Sequence, residues 1–520
     1  MSMIKSIATV GGFTMISRVL GFVRDVLIAA LLGTGAIAEA FVIAFRIPNL
    51  FRRLFGEGAF NAAFVPLFAK RLEADGPDAA RGFANEALAG LVFVLLIFSA
   101  LAILFMPVLA YIQAPGFIDD SKKFELTVLM SRIAFPYLAF MSITAMLSGV
   151  LNSMHRFSAA AAAPIILNVV MIIVVGWLTF AGWGNTPETG RAMVWGVSFA
   201  GLAQLTMLWI ATRRAGMKLK LRRPRYTPAV KRLVQLGIPG VIAGGITQIN
   251  LVISTAFASM QDGAAPWLYY ADRVYQLPLG IVGVAIGIVL LPELSRQLRA
   301  GDTKAVDESQ NRSLEFALFL TIPAAIALMA IPQPVMQVLF ERGAFNANDT
   351  TASAYALAAF AIGLPAFVLV KVFSPGFFAR EDTKTPMYFA GVGVAVNVIL
   401  AFVLFQYLNH IGIALAVSIA GWVNAAMLGI TLTNRGFFKT DKRLRTNLFK
   451  TLLNSLFMGA VLLVANNYLA PYFTSATSLS IRLLLLGAMV VVGGFCYFAA
   501  SHFSGAFRWR DFRQAFRRAK

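Results

Sequence analysis

Long apolar segments recur along almost the whole 520-residue chain, and they limit its fold more than any other feature. Each is about 20 residues or longer, which is enough for an α-helix to cross roughly 30 Å of hydrocarbon. The composition agrees, since 58% of the residues are hydrophobic, 13% are charged and the mean hydropathy is +0.74. We therefore predict an all-α polytopic membrane protein with 14 transmembrane helices. The predicted spans are residues 8–32, 36–68, 83–112, 125–151, 160–182, 190–213, 231–260, 266–294, 313–334, 351–378, 386–407, 411–434, 447–471 and 479–502.

The connections between these spans carry charge asymmetrically. The net charge is +21, and most basic residues fall in alternate connections such as "RRAGMKLKLRRPRYTPAVKR". The other connections hold few basic residues, namely Lys122, Lys123, Arg191 and Arg342. Basic loops mark the cytoplasmic side of a membrane protein, so we predict that both termini are cytoplasmic. The basic loops therefore set the orientation of the protein in the membrane and face anionic lipid, and a nucleic-acid partner is not expected.

Several motifs recur at an offset of 226–230 residues. "MPVLAYIQAPGF" at 106–117 resembles "QPVMQVLFERGAF" at 333–345, and "VPLFAKRLEADG" at 65–76 resembles "LPELSRQLRAGD" at 291–302. We predict two six-helix lobes in the same orientation, a parallel repeat that suits alternating access, although duplication without a functional cleft is an alternative. The predicted regions are an N-terminal lobe at 1–213, a basic cytoplasmic linker at 214–230, a C-terminal lobe at 231–434, two extra helices at 435–505 and a basic cytoplasmic tail at 506–520.

Charged residues lie inside three predicted spans, although each costs about 2.5–3.5 kcal/mol at the centre of a membrane. They are Arg18, Arg24 and Asp25 in the first span, Glu39, Arg46, Arg52, Arg53 and Glu57 in the second, and Asp272 and Arg273 in the eighth. Arg18 and Asp25 lie seven residues apart, close to two helical turns, and therefore share one face. The three spans contain six arginines and four carboxylates, so positive charge is in excess.

Two interpretations of these charges are open. The residues could pair internally, as Arg53 and Glu57 could at i,i+4, but the excess arginines would remain, and uncompensated buried charge is costly. The other interpretation is a water-filled cationic cavity that binds an anion, for which guanidinium groups suit phosphate. The candidate substrate-binding residues are Arg18, Arg24, Arg52, Arg53 and Arg273, and the candidate acidic or gating residues are Asp25, Glu39, Glu57 and Asp272.

Motifs of catalysis and of metal or nucleotide binding are absent from the sequence. It contains no Walker loop, nucleophile elbow or zinc-ligand spacing. We therefore predict a transporter rather than an enzyme, without a cofactor or a metal. Its energy would come from a gradient, the membrane potential or substrate flux.

Four motifs resemble those of a known family. They are "SRVLGFVRD", "FRIPNLFRRLFGEGAFNAAFVP", "YYADRVYQLPLGIVGVAIGIVLLP" and "SPGFFAREDTKTP". They resemble the MurJ (MviN) lipid II flippases, which belong to a superfamily with drug exporters and polysaccharide-lipid flippases. The resemblance extends from about residue 2 to the last span.

The resemblance implies a particular transport reaction. The substrate would be the undecaprenyl-diphosphate-linked disaccharide-pentapeptide of peptidoglycan synthesis, moved to the outer leaflet of the bacterial inner membrane, with the cell-wall synthesis machinery as a candidate partner. The two extra helices would form a groove for the polyprenyl tail. The family's cavity arginines fall on Arg18, Arg24, Arg52 and Arg273, and its acidic positions fall on Asp25, Glu39 and Asp272, with Glu39 in place of the more usual Asp.

Other functions are compatible with parts of this pattern. A flippase for another polyprenyl-diphosphate-linked oligosaccharide would use the same anchor, and head-group specificity is not encoded in any motif. A multidrug or cation antiporter would need an acidic cavity, whereas basic residues are in excess here. A membrane phosphatase or glycosyltransferase would need His or Asp clusters. Sodium coupling is not expected, because the seventh, eleventh and twelfth spans contain no Asp or Glu.

Overall fold

The computed structural model describes residues 3–53, 60–474 and 476–506, and within them it contains helices and no strand. The α-helices are α1 (Met3–Leu32), α2 (Ala36–Arg52), α3 (Asn61–Ala74), α4 (Gly76–Leu104), α5 (Met106–Gln113), α6 (Ser121–Ala134), α7 (Tyr137–Ser153), α8 (Phe157–Phe180), α9 (Pro187–Arg214), α10 (Pro228–Ala258), α11 (Ala264–Arg299), α12 (Thr303–Ala330), α13 (Pro332–Phe340), α14 (Ala347–Phe378), α15 (Lys384–Asn434), α16 (Lys442–Leu469) and α17 (Leu479–Phe503). The tail predicted at 506–520 lies outside the described residues apart from Ala506.

The helices confirm the all-α class, whereas the predicted count of 14 spans stays a prediction. Among the described residues, nine helical segments are long and apolar enough to cross a membrane. The predicted span 36–68 contains α2, which ends at Arg52, and the beginning of α3 at Asn61, and residues 54–59 between them lie outside the described residues. The predicted spans 386–407 and 411–434 fall within α15, which breaks at Asn409 with φ 50° and ψ −136°. A positive φ is uncommon for a residue with a side chain, so Asn409 marks a sharp local break between two helical segments.

The chain divides into two compact units, of which unit 1 comprises Met1–Pro266 and Arg342–Phe345. Aromatic side chains build much of its core: the ring of Phe64 stacks on those of Phe68 and Phe83, 5.5 and 5.6 Å away. Helix α10, which the sequence assigned to the C-terminal lobe, packs in unit 1 against α3, α4 and α5. Packing thus groups α10 with unit 1. The lobes and the linker at 214–230, which derive from the repeat, stay a prediction.

Unit 2 comprises Trp267–Glu341 and Asn346–Lys520. Helices α14 and α15 pack closely because Gly363 has no side chain: a Cβ there would lie 2.7 Å from the Ser418 hydroxyl. That hydroxyl donates a hydrogen bond to the Ala359 carbonyl at 2.7 Å. The two extra helices, α16 and α17, pack on each other, α16 also on α12, and α17 also on α13.

Candidate functional site

Two charged residues of α1, Arg24 and Asp25, form a buried cluster with α8. Arg24 and Asp25 are both buried, and the Arg24 guanidinium contacts Asp25 Oδ1 through Nε at 3.0 Å and Nη2 at 2.7 Å. The third guanidinium nitrogen, Nη1, donates to Asn168 Oδ1 at 3.0 Å, and Asn168 Nδ2 donates to the Ser17 carbonyl at 2.8 Å. The Asn168 amide packs against Gly21, where a Cβ would lie 3.4 Å from Asn168 Nδ2. We call Ser17, Arg24, Asp25 and Asn168 the Arg24 cluster.

Arg18 lies on the same helix in a different environment. Its side chain is exposed, and in the described part of the chain it makes no hydrogen bond or ion pair. The first predicted span falls on α1, and a guanidinium on a helix at membrane depth is tolerated where it meets water or an anion. Of the two arginines on α1, Arg18 is therefore open to a ligand, whereas Arg24 is already held by a carboxylate.

The arginines of α2 have polar partners of their own. Arg46 Nη1 donates to the hydroxyl of Thr255 on α10 at 2.8 Å. Arg52 Nε donates to Asn49 Oδ1 at 3.0 Å, and Arg52 is half-buried, whereas Arg53 is exposed. Glu57, which the sequence suggests as a partner of Arg53, lies outside the described residues.

Asp272 and Arg273 belong to unit 2, near the start of α11. Both are half-buried. Arg273 Nη2 donates to the Tyr269 hydroxyl at 2.9 Å, and the guanidinium carbon lies 4.8 Å from the centroid of the Tyr269 ring, a cation–π contact. Asp272 accepts a hydrogen bond from Gln276 one turn later. Arg273 is thus oriented by an aromatic ring, and part of its side chain stays accessible.

Glu39 has a partner that the sequence did not suggest. Lys123 Nζ, at the start of α6, lies 2.5 Å from Glu39 Oε2 and 2.8 Å from Asp262 Oδ1, and 4.2 Å from the centroid of the Phe117 ring. The backbone N–H of Gly263 donates to Glu39 Oε1 at 2.8 Å. The Glu39 and Lys123 side chains are 1% and 5% exposed, whereas that of Asp262 is 97% exposed. We call Glu39, Phe117, Lys123, Asp262 and Gly263 the Glu39 cluster.

This pair changes the charge balance around the arginines. Glu39 pairs with Lys123 and therefore does not neutralise an arginine. The excess of arginine over carboxylate is thus larger than the count within the three predicted spans indicates. The sequence pattern places Lys123 in a loop and gives no reason to single out Asn168. The sequence does contain one signal that could have singled out Lys123: it is one of four basic residues in connections that are otherwise free of Lys and Arg.

Two glycine-bearing loops contact the ends of helices, and the loop of Gly116 adjoins the Glu39 cluster through Phe117. The N–H of Gly116 donates to Ser259 Oγ after α10, and a Cβ on Gly116 would lie 2.4 Å from the Ser259 carbonyl oxygen. The N–H of Ala344 donates to the Ala30 carbonyl near the end of α1 at 2.8 Å, and a Cβ on Gly343 would lie 2.2 Å from that oxygen. Gly116 and Gly343 are equivalent in the predicted repeat, and each lies on the first helix of the opposite copy.

Metal ligands do not gather in the part of the chain that the structure describes. No group of three or more His, Cys, Asp or Glu residues there could hold a metal ion. Asn397 is buried and Asn424 is half-buried, and no carboxylate belongs to α15. The absence of sodium coupling stays a prediction.

The fold defines the class of protein. A multidrug resistance transporter of the MATE family and MOP superfamily, in an inward-facing conformation, aligns with a TM-score of 0.67 at 12% identity, over 82% of this chain and 97% of its own. A likeness at that identity concerns the fold alone. This likeness in fold, together with the apolar helices, identifies the chain as a multi-pass α-helical membrane protein with a transporter fold.

Closer matches define the family. The family model described as lipid II flippase MurJ matches residues 28–484. A probable lipid II flippase MurJ of Rhizobium meliloti (strain 1021) is 51% identical over 502 residues, which cover 96% of this chain and 94% of its own. A solved lipid II flippase MurJ in an inward closed conformation has a TM-score of 0.77 at 26% identity, over 97% of this chain and 99% of its own. The chain belongs to the MurJ family, whose members are transporters and not enzymes.

Proposed function

We propose that this chain flips lipid II, the undecaprenyl-diphosphate-linked peptidoglycan precursor, from the cytoplasmic to the outer leaflet of the bacterial inner membrane. Membership of the MurJ family is the observation that carries the proposal. The excess of arginine on membrane-spanning helices supports it, because a diphosphate needs cationic ligands at membrane depth while its polyprenyl tail stays in lipid. The cell-wall synthesis machinery is its proposed partner, and both termini face the cytoplasm in this proposal.

The proposed substrate site is a cationic cavity whose ligands are Arg18, Arg24, Arg52, Arg53 and Arg273. Asp25 holds Arg24 through Nε and Nη2, which fixes the plane of the guanidinium and leaves Nη1 on the neutral amide of Asn168. A phosphate oxygen bonds a guanidinium more strongly than an amide oxygen does, so the diphosphate would displace Asn168. Asp25 is therefore an orienting residue and Arg24 a ligand in this scheme.

Alternating access requires one side of the protein to be closed while the other is open. We assign closure of the outer side to the Glu39 cluster and the two glycine loops, because they lie in connections with few basic residues, which the charge asymmetry places outside. Their contacts join the ends of α1, α2, α6 and α10. Separation of these contacts would open the outward path, and their re-formation would reset the transporter.

Rescue of cells depleted of their own lipid II flippase tests this function. Wild-type chain should restore growth, whereas Arg18→Ala, Arg24→Ala and Arg273→Ala should each fail to do so at equal membrane levels. Arg→Lys changes should recover part of the activity, since lysine keeps the charge but loses bidentate geometry. Arg191→Ala is the matched control, because Arg191 is exposed and pairs with Glu188. Failure of the wild-type chain to rescue, with normal membrane insertion, would contradict the proposal.

The nearest alternative is a flippase for another polyprenyl-diphosphate-linked oligosaccharide. It shares the anchor and therefore the arginines. Purified protein in vesicles separates the two, because only a lipid II flippase should move lipid II faster than a lipid with the same anchor and a different head group. Equal rates for both lipids would favour the alternative.

A further inference from the structure

A groove separate from the proposed substrate arginines lies within unit 1. Its volume is about 1100 Å³, and it is bordered by Thr9 of α1, the turn between α7 and α8, and the second half of α9. Among the described residues, no acidic side chain lines it, and neither the Arg24 cluster nor the Glu39 cluster contributes to its wall. We call this cavity the α9 groove.

The wall formed by α9 is apolar over most of its length and basic at one end. Phe199, Leu202 and Ile210 line it and are exposed, and Arg214 follows one turn after Ile210. Phe199 and Arg214 are fifteen residues apart, about 22 Å along a helix. One leaflet of the hydrocarbon core is about 15 Å thick, so the groove extends through a leaflet into the head-group region.

Cationic side chains gather at the basic end. Arg156, in the turn between α7 and α8, and Arg214 both line the groove and are exposed, and within the described residues neither forms an ion pair. His155 lies beside them and adds a ring nitrogen. Because no carboxylate neutralises these groups, this end of the groove can accept an anion.

The N-terminus of α8 adds backbone donors to the same end. Arg156 is the N-cap of this 24-residue helix, no side chain caps it, and the first three helical residues, 157–159, line the groove. Uncapped N–H groups at a helix N-terminus are suited to a phosphate. They supplement the two guanidinium groups.

The turn that presents these groups is held in a conformation that is uncommon for its residues. His155 has φ 56°, in the left-handed region, where a residue with a Cβ is strained by about 1–2 kcal/mol. The Arg156 N–H donates to the Leu151 carbonyl at 2.9 Å and the His155 N–H to the Asn152 carbonyl at 3.0 Å, which fixes the turn. Its geometry therefore aims Arg156 and the start of α8 at the groove.

We propose that the α9 groove is a binding site for an anionic phospholipid of the cytoplasmic leaflet. The phosphate binds Arg156, Arg214 and the α8 N-terminus, and one acyl chain lies along Phe199, Leu202 and Ile210. A phospholipid fits better than a polyprenyl diphosphate because the groove covers one leaflet only. This site is independent of the proposed transport reaction.

Lipid binding by the full-length protein tests the site directly. The protein is reconstituted in nanodiscs of phosphatidylcholine with increasing phosphatidylglycerol, and the lipid retained after extraction is counted by native mass spectrometry. Wild-type protein should retain phosphatidylglycerol over phosphatidylcholine, and Arg156→Gln with Arg214→Gln should lower that preference at least tenfold. Arg213→Gln is the matched control, since Arg213 is an exposed neighbour that does not line the groove.

A second variant separates the site from a general effect of charge. Leu202→Trp fills the apolar end and leaves both arginines in place, so it should also reduce phosphatidylglycerol retention. Equal retention by the double arginine variant, Arg213→Gln and wild type would overturn the proposal. So would displacement of the bound phosphatidylglycerol by undecaprenyl diphosphate in wild type but not in the double variant, because the groove would then be a substrate site.

Discussion

Removal of Lys123 is the sharpest test of the proposed outer closure. Lys123→Met keeps the length of the side chain but removes the cation that lies 2.5 Å from Glu39. Glu39 would then stay buried, at 1% exposure, with the Gly263 N–H as its remaining contact within the Glu39 cluster. Removing one partner of a buried ion pair costs about 3–5 kcal/mol. If the cluster exists only in the closed state, the closed-to-open ratio should fall by roughly two to three and a half powers of ten.

Cysteine labelling can measure this shift. Ser259 is 2% exposed beneath the loop of Gly116, and Cys496 is the single cysteine of the chain. A Ser259→Cys reporter in a Cys496→Ser background should react slowly with a membrane-impermeant maleimide added outside the cells. With Lys123→Met, the labelling rate should rise at least tenfold, because the open state exposes the reporter.

Two controls decide whether the ion pair is responsible. Lys122→Met alters the exposed neighbouring lysine and should leave the labelling rate unchanged. Glu39→Gln combined with Lys123→Met should lower the rate again, since no unpaired charge is then buried. Equal labelling in Lys122→Met and Lys123→Met, at equal membrane levels, would refute the assignment of closure to the Glu39 cluster.

Two further predictions concern stability. Gly343→Ala should destabilise the purified protein by about 1–3 kcal/mol, because its Cβ would lie 2.2 Å from the Ala30 carbonyl oxygen. Gly494→Ala is the control, since a Cβ there meets open space. Equal melting temperatures of the two variants would contradict this prediction. Hydrogen bonds from the Thr385 hydroxyl and backbone, and then Arg435, lower the pKa of Asp382 to about 2, so its stabilisation is present above about pH 4 and is lost as the pH falls towards 2. Asp382→Asn should therefore lower the melting temperature at pH 7 but not near pH 2, and a pH-independent difference would refute the assignment.

Local physical chemistry is what the sequence encodes most directly. Apolar length and composition determine that the chain is helical and spans a membrane, since any segment that enters hydrocarbon must satisfy its backbone internally. The cost of burying charge is enough to single out the arginines of spans 1, 2 and 8. Both conclusions depend on neighbouring residues only. The fold class is confirmed, and the roles of Arg18, Arg24, Arg52, Arg53 and Arg273 stay a prediction.

Tertiary structure decided which of these charges are paired. Arg24 meets Asn168 across 144 residues, and Gly263 meets Glu39 across 224, so no local pattern could have joined them. The sequence pattern places Lys123 in a loop. Its burial could not be predicted, because it depends on residues that are distant in sequence. The glycines at 116 and 343 are visible as parts of a repeat, but only packing shows that each touches the end of a helix from the other copy. A pairwise contact between distant segments depends on how the whole chain packs, and that information is absent from any single stretch of sequence.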